Sequence, residues 1–467
     1  LKSGHQEKNS TFIRHEENMN KPLVLVSAPV ETRSGYGNHS RDICRALIEL
    51  DKYDVKINAV PWGKTSRNAL EDNKHHNEIK NRIISGGPEL QLPKQPDLHL
   101  HLVIPNEFTP IGKKNVGMTA GIEASVPSPQ WVEGCNRMDK VIFTSEFSNQ
   151  VFKNAEFTKK DEKTGTEQPI KLKVESDTLF EGFDENFKST SDFDDEVKEM
   201  FNQIDEDFCF LYTGHWLQGG LGQDRKDTGM LVKVFCETFK NTKNPPALIL
   251  KTSGHGFSII DRNDILDKIE TIKDSISSDT LPNVYLIHGD FTDNQMNQLY
   301  NHPKVKVHAT FTHGEGFGRP LLEAAQSGKP IIASNWSGHL DFLHGSYCSL
   351  LPGSLVKIPK DAYPKDYVFQ GEAQWFQVNY QVASQLLKDI YNNYKKYKVK
   401  AQHLKIYTQA FSFDKMKEKL EELLEPLLES LPKQVSLKLP KLEKTGEDKS
   451  DTEVGKLKLP KLKKMSK

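Results

Sequence analysis

Short apolar runs alternate along this chain with longer stretches in which apolar residues recur every three or four positions. The first pattern reads as buried strands and the second as helices that cover them. Leu23-Val24-Leu25-Val26 opens the series, followed by strands over Val55 to Val60, Leu98 to Ile104 and Lys140 to Thr144. Ser40 is placed to cap a helix with its face at Ile43, Leu47 and Leu50, and Ser145 to cap one running through Phe152. The alternation resumes with strands at Phe208 to Thr213, Leu248 to Lys251, Val284 to Ile287, Val305 to Ala309 and Pro330 to Ala333. Between them lie a helix faced by Leu231, Val234, Phe235 and Phe239, then helices at Asp261 to Ile276, Thr292 to Tyr300 and Pro320 to Ser327. Such alternation predicts parallel sheets that bind ligands at the carboxyl ends of their strands. With 467 residues there is chain enough for two such units.

The richest chemistry lies in Thr312-His313-Gly314-Glu315-Gly316-Phe317-Gly318-Arg319-Pro320-Leu321-Leu322-Glu323-Ala324-Ala325. Gly316 and Gly318 let bare backbone approach a ligand, and Pro320 suits the first turn of a helix, where a missing N–H costs nothing. The positive end of that helix favours phosphate. Glu315 precedes the helix and Glu323 lies inside it, so two carboxylates can face one pocket from different depths. A second glycine-bearing loop, Ser34-Gly35-Tyr36-Gly37-Asn38, follows the first strand. It lacks the third glycine of a dinucleotide site, which argues against a nicotinamide cofactor.

The Glu-x7-Glu spacing within Glu-Gly-Phe-Gly-x-Pro-x-x-Glu-Ala closely resembles the retaining glycosyltransferases of family four. That resemblance implies an α/β protein of the GT-B fold, with two facing Rossmann-like domains and a closing C-terminal helix. It implies a metal-independent hexosyl- or pentosyltransferase with no cofactor beyond its UDP- or GDP-sugar co-substrate. It places Glu315 beside the donor sugar, Glu323 on the ribose hydroxyls, and the backbone of Gly316, Phe317, Gly318, Arg319, Pro320 and Leu321 along sugar and diphosphate. Lys226, with Arg225 beside it, would neutralise the leaving diphosphate, although family members separate this pair by several residues. Gly35, Tyr36 and Gly37 would face the donor phosphates from the first domain. Gly121-Ile122-Glu123-Ala124 with Pro129-Gln130-Trp131 matches a further sub-pattern. There Glu123 is a candidate sugar or acceptor contact where many relatives carry a histidine, and equally a structural carboxylate ordering the loop.

The expected divisions are a lead-in over 1–20, an acceptor domain over 21–186 and a nucleotide-sugar domain over 187–400. A closing helix over 401–431 and a disordered basic tail over 432–467 complete them. The tail repeats Leu-Lys-Leu-Pro-Lys-Leu and carries 11 Lys against 5 Asp or Glu, which suits docking to a partner or simple solubilisation. The loop Trp216 to Asp224, rich in glycine, reads as mobile, and Lys159 to Gln168 as a charged excursion without core residues. His99 and His101 read as a packed pair at a sheet edge, and Asp192-Phe193-Asp194 as solvated surface rather than a manganese motif.

Overall charge is −1, which gives no whole-molecule grip on nucleic acid or anionic lipid. No apolar run is long enough to span a bilayer, the first twenty residues lack a signal-peptide core, and five cysteines without Cys-x-x-Cys spacing suit a reducing compartment. These point to a cytoplasmic protein. The acceptor stays open among glycan, lipid, protein and nucleic acid. Two other readings also stay open: a GT-B sugar-nucleotide epimerase or phosphorylase, and a catalytically silent sugar-nucleotide-binding module.

Overall fold

β1 (Leu23–Ala28) is buried along its whole length and pairs in parallel with both β2 (Asp54–Ala59) and β3 (Leu98–Leu102). This is what an uninterrupted apolar strand requires, because helices cover both faces of a parallel sheet. The computed structural model describes residues 21–63, 65–84, 92–160, 166–254, 256–360, 362, 367–368 and 371–431. β4 (Lys114–Thr119) and β5 (Lys140–Phe143) extend the first sheet. β6 (Glu156–Lys160) and β7 (Glu167–Lys171) form a separate antiparallel pair, and β8 (Glu175–Thr178) closes the edge, giving the order β2-β1-β3-β4-β5-β8.

The second half repeats the plan with β9 (Cys209–Thr213), β10 (Ala247–Lys251), β11 (Val284–Ile287), β12 (Val305–Ala309), β13 (Ile331–Ser334) and β14 (Ser349–Leu351). Their order is β11-β10-β9-β12-β13-β14, parallel throughout. An antiparallel hairpin of β15 (Gly353–Lys357) and β16 (Gln374–Val378) follows. It reaches the first half: Ser125 N donates to the Gln374 carbonyl at 2.7 Å, and Trp375 is buried in one core with Trp131, Phe143 and Phe152.

The helix Phe413–Glu429 returns to the first half. Ser412 caps it, and Phe413, Met416, Leu420 and Leu424 are buried in the core that holds Val24, Val26 and Leu47. Each such side chain contributes about 1.5–3 kcal/mol relative to exposure. The crossing segments run side by side: Phe183 N donates to the Phe411 carbonyl at 3.1 Å and Phe413 N to the Phe183 carbonyl at 2.9 Å. Gly182 permits this approach, since a Cβ there would lie 2.7 Å from Phe413 Cα. These contacts join both halves into one compact unit ending at Leu431. The expectations for 1–20 and 432–467 fall outside the described residues.

Several local expectations need correction. The first helix begins at Gly35, capped by Ser34, whose side chain accepts from Gly37 N at 3.0 Å; Ser40 instead donates to the Tyr36 carbonyl. Gly35, Tyr36 and Gly37 therefore form a helical turn, not a free loop. His99 and His101 sit on β3 in the interior of the sheet, where His99 Nε2 lies 2.9 Å from Ser27 Oγ. Of the excursion Lys159 to Gln168, the described ends Lys159, Lys160, Glu167 and Gln168 are exposed on the β6–β7 pair, while Phe157 and Ile170, just outside it, pack on the core. The glycine-rich loop after β9 is anchored at both ends by buried Trp216 and Asp224. Asp192 and Asp194 are exposed, as expected of solvated surface, with Asp194 preceding the helix Asp195–Asn202, while Phe193 is half-buried against the core that holds Phe183 and Phe201. All five cysteines are buried and unpaired.

Candidate active site

Three strand ends supply the site. β12 leads into the loop bearing Glu315, β9 into the loop bearing Arg225 and Lys226, and β4 of the first sheet into Ala120–Glu123. Lys226 Nζ is hydrogen-bonded to both carboxylate oxygens of Glu315. Arg225 donates to Glu123 Oε1 at 2.9 Å, an ion pair that crosses from one half to the other. The two second-half loops are tied directly, because His313 N donates to the Arg225 carbonyl at 3.0 Å. Burial pushes the Glu315 carboxyl up, but Lys226 and then Arg225 outweigh it and hold it below the ordinary glutamate value. Lys226 is held below the ordinary lysine value by burial and by the Arg225 charge, against the pull of Glu315.

Strained backbone supports both partners. Ser337, at φ 85°, accepts from Glu315 N at 2.8 Å. Asp227, next to Lys226, is left-handed at φ 52° and accepts from the Tyr380 hydroxyl at 2.7 Å. Such conformations cost roughly 1–3 kcal/mol each and persist where surrounding contacts over-determine them.

The loop after Glu315 presents backbone. Among the described residues, the amides of Gly316, Phe317, Gly318 and Arg319 donate to no protein acceptor. Gly318 is left-handed at φ 94°, and a Cβ on Gly316 would meet the Ala120 carbonyl at 2.8 Å, so the loop abuts the first half. The Phe317 side chain is buried against Phe342, leaving only its backbone for a ligand. The helix spans Arg319–Ala325 rather than Pro320 to Ser327. Its Leu321 amide already bonds the Gly318 carbonyl at 2.9 Å, which removes one expected donor.

Arg319 is buried and joins the halves: it donates to Glu323 Oε1 at 2.8 Å and to Asp42 on the helix Gly35–Leu50. Burial raises the Glu323 carboxyl to about 7 despite that guanidinium. Tyr36 stacks on Trp62 at 4.1 Å, and its hydroxyl, 2.8 Å from Thr119 Oγ1, accepts from Ala120 N at 3.1 Å. Tyr36 thus holds the end of β4 in place, while Gly35 has open space where a side chain would point.

Other residues of the site carried no signal in the sequence. His215 is kept neutral by burial and by Lys226, with its Nδ1 3.3 Å from Ser253 Oγ. His313 is buried, 2.7 Å from the Phe376 carbonyl and stacked on Trp375 at 4.2 Å. Lys251, at the end of β10, donates to the Gly289 carbonyl at 2.6 Å and lies 4.7 Å from the centre of the Phe291 ring. Burial lowers its amine to about 8. Each needed a tertiary contact to be noticed; only the positions at strand ends hinted at them.

Two facing parallel sheets with ligand-ready loops between them, and a terminal helix that crosses back, define the GT-B architecture. Residues 264–359, about a fifth of the chain, match the family model described as glycosyl transferases group 1. This is the segment that carries Glu315 and Glu323. Solved structures match over most of the chain. HepE from Anabaena in complex with UDP and glucose aligns with TM-score 0.55 at 14% identity, covering 87% of this chain and 100% of that one. Sucrose-phosphate synthase from Thermosynechococcus elongatus aligns at 0.58 and 14%, covering 88% and 100%. A glycosyltransferase from Rickettsia africae aligns at 0.57 and 13%, also covering 88% and 100%. No curated protein matches in sequence. At these identities the neighbours establish the fold, and the family match lies in the second half.

Proposed function

We propose that the protein is a retaining, metal-independent glycosyltransferase of family four that moves a sugar from a UDP- or GDP-sugar to an acceptor hydroxyl. The observation that carries this reading is the meeting of Glu315 and Lys226 beside four unengaged amides, at the carboxyl ends of parallel strands. Those amides and the Lys226 and Arg225 cations suit a diphosphate, and Glu315 is positioned for the sugar attached to it. The group 1 family match and a neighbour solved with UDP and glucose support the same donor class.

Glu323 is assigned to the ribose hydroxyls, with Arg319 orienting its carboxylate. Glu123, brought to the second half by its Arg225 pair, is assigned to the sugar or the acceptor. In front-face displacement the acceptor oxygen bonds the anomeric carbon on the side from which the phosphate oxygen leaves. The acceptor proton passes to that departing oxygen. Positioning and stabilisation of the leaving charge then supply most of the catalysis.

The division of the chain into an acceptor domain (21–186), a donor domain (187–400) and a closing segment (401–431) belongs to this reading, as does a cytoplasmic site of action. No helix among the described residues is long and apolar enough to cross a membrane.

The test is release of nucleoside diphosphate from a panel of UDP- and GDP-sugars in the presence of a chelator. Release that survives chelation and disappears in Glu315→Gln supports the reading. Release that needs added manganese overturns the metal-free part, and an epimerised sugar nucleotide in place of transfer product identifies an epimerase.

A further inference from the structure

The helix Tyr394–Tyr407 carries five lysines and one histidine and no carboxylate. Ala401 and Leu404 are buried on its inner side. Lys395, Val399 and Ile406, spaced by four and then seven residues, share the outer stripe. All three are exposed, Val399 at 61% and Ile406 at 71%. Lys396 and Lys398 are exposed on either side of the stripe, and Tyr407 is half-exposed beside Ile406. Among the described residues Lys395, Lys396 and Lys398 form no ion pair. Asp389, the carboxylate that feels Lys396, is engaged by Asn393 at 2.7 Å and by the Tyr397 hydroxyl. The positive field continues inward: burial, then Lys306 and Lys398, hold the Lys329 amine well below the ordinary lysine value. The helix starts at the amino edge of the second sheet. Tyr394 meets Phe208 edge-on, with ring centres 5.5 Å apart, just before β9, and the Tyr391 hydroxyl donates to the Asn244 carbonyl at 2.8 Å, close to the start of β10. The candidate active site lies at the other ends of these strands.

We propose that the outer face of the helix Tyr394–Tyr407 docks on the surface of an anionic phospholipid bilayer. Lysines on a helix face are drawn to lipid phosphates, and apolar side chains among them enter the boundary with the hydrocarbon. Val399 and Ile406 decide the occupant. A phosphate polymer such as RNA satisfies the lysines but leaves two bare aliphatic side chains with nothing to bury against. The helix also contains no arginine, the residue suited to two-pronged contact with a single phosphate or carboxylate. Lysines act as point charges, which suits a diffuse anionic plane, and the stripe is the ridge of one helix rather than a groove for an acidic peptide. The overall charge of −1 does not oppose this, because salt confines each charge to a range of about 8 Å. The inference stands apart from the nucleotide-sugar reading: it concerns where the protein works, not the reaction.

The experiment is co-sedimentation of the full chain with vesicles of phosphatidylcholine alone and of phosphatidylcholine containing about one-third phosphatidylglycerol. Binding is expected only to the anionic vesicles, and it is expected to vanish near 1 M salt, where the screening length is about 3 Å. The combined variant Lys395→Gln, Lys396→Gln and Lys398→Gln is expected to lose roughly a hundredfold in partitioning, at about fivefold per lysine. Val399→Ser with Ile406→Ser is expected to lose roughly tenfold, through the apolar contact alone. All five positions are exposed, so both variants are expected to keep the thermal midpoint of the unmodified chain. No binding to anionic vesicles overturns the proposal. Binding unchanged in the lysine variant assigns it to the lysines beyond Leu431 and overturns the proposal as well. Binding unchanged in the aliphatic variant shows a plain polyanion grip instead of a bilayer contact. A single-stranded RNA that binds where vesicles do not, and is lost in the lysine variant, makes this a nucleic-acid surface and refutes the bilayer.

Discussion

Lys226→Ala isolates the electrostatics of the site. In the intact protein the Lys226 ammonium contacts both oxygens of Glu315, and both side chains are only about one-eighth exposed, at 13% and 12%. Removing the amine strands a buried carboxylate, and breaking a buried pair from one side costs roughly 3–5 kcal/mol. Arg225, which also holds the Glu315 carboxyl down, tempers this, so the expected loss lies near the lower figure. The pH dependence gives the sharper signature. With Lys226 present, the folded Glu315 carboxyl lies below its unfolded value; its contribution is present above the unfolded value and fades as pH falls through the folded one. Without Lys226 the burial effect dominates and the folded value rises, so the folded state is penalised increasingly as pH rises. The stability difference between the two proteins, read from urea midpoints, is therefore expected to be larger at pH 8 than at pH 4.5. Turnover is expected to fall by about 10²–10³-fold while donor affinity changes far less, since a cation matched to developing charge acts mainly in the transition state. A stability difference independent of pH, or normal turnover, would refute the reasoning.

Glu315→Gln should abolish most transfer yet leave nucleoside-diphosphate affinity nearly unchanged, whereas Glu323→Ala should weaken it by about 1.5–3 kcal/mol; calorimetry that finds equal losses would show the roles wrongly divided. Because burial places the Glu323 carboxyl at about 7, its ionised form gains population through that pH, and UDP affinity is expected to rise between pH 6 and 7.5 in the unmodified protein but not in Glu323→Gln. Gly182→Ala puts a Cβ 2.7 Å from Phe413 Cα, so the crossing segments must shift; a loss of about 1–3 kcal/mol in urea unfolding is expected, and an unchanged midpoint would show that the crossing yields freely.

How much of this was legible in the chain varies with the length scale of the interaction. The apolar runs of β1, β10 and β13 announced themselves because burial on both sheet faces demands nearly uninterrupted hydrophobicity. β4, Lys-Asn-Val-Gly-Met-Thr, did not: its Gly117 is where Phe108 packs, and its Asn115 is bonded to Asp139, contacts invisible to periodicity. β8 was missed for the same reason, being a polar strand held by its neighbours. In the site, Glu315, Glu323 and Lys226 were found by spacing and resemblance, whereas their pairing with one another and with Glu123 and Arg319 is tertiary. Ser34 rather than Ser40 caps the first helix because a turn of Gly35-Tyr36-Gly37 tolerates helical geometry, which a glycine count reads as loop.

The central claim is that the cleft between the two sheets holds a nucleotide sugar. The most direct measurement is thermal unfolding of the full chain across a panel of UDP- and GDP-sugars with their free nucleoside diphosphates. A donor at a hundred times its dissociation constant stabilises the folded state by about 2.7 kcal/mol, so at least one member is expected to raise the midpoint clearly, with its own diphosphate doing the same. No shift with any sugar nucleotide or nucleoside diphosphate at millimolar concentration would contradict the account.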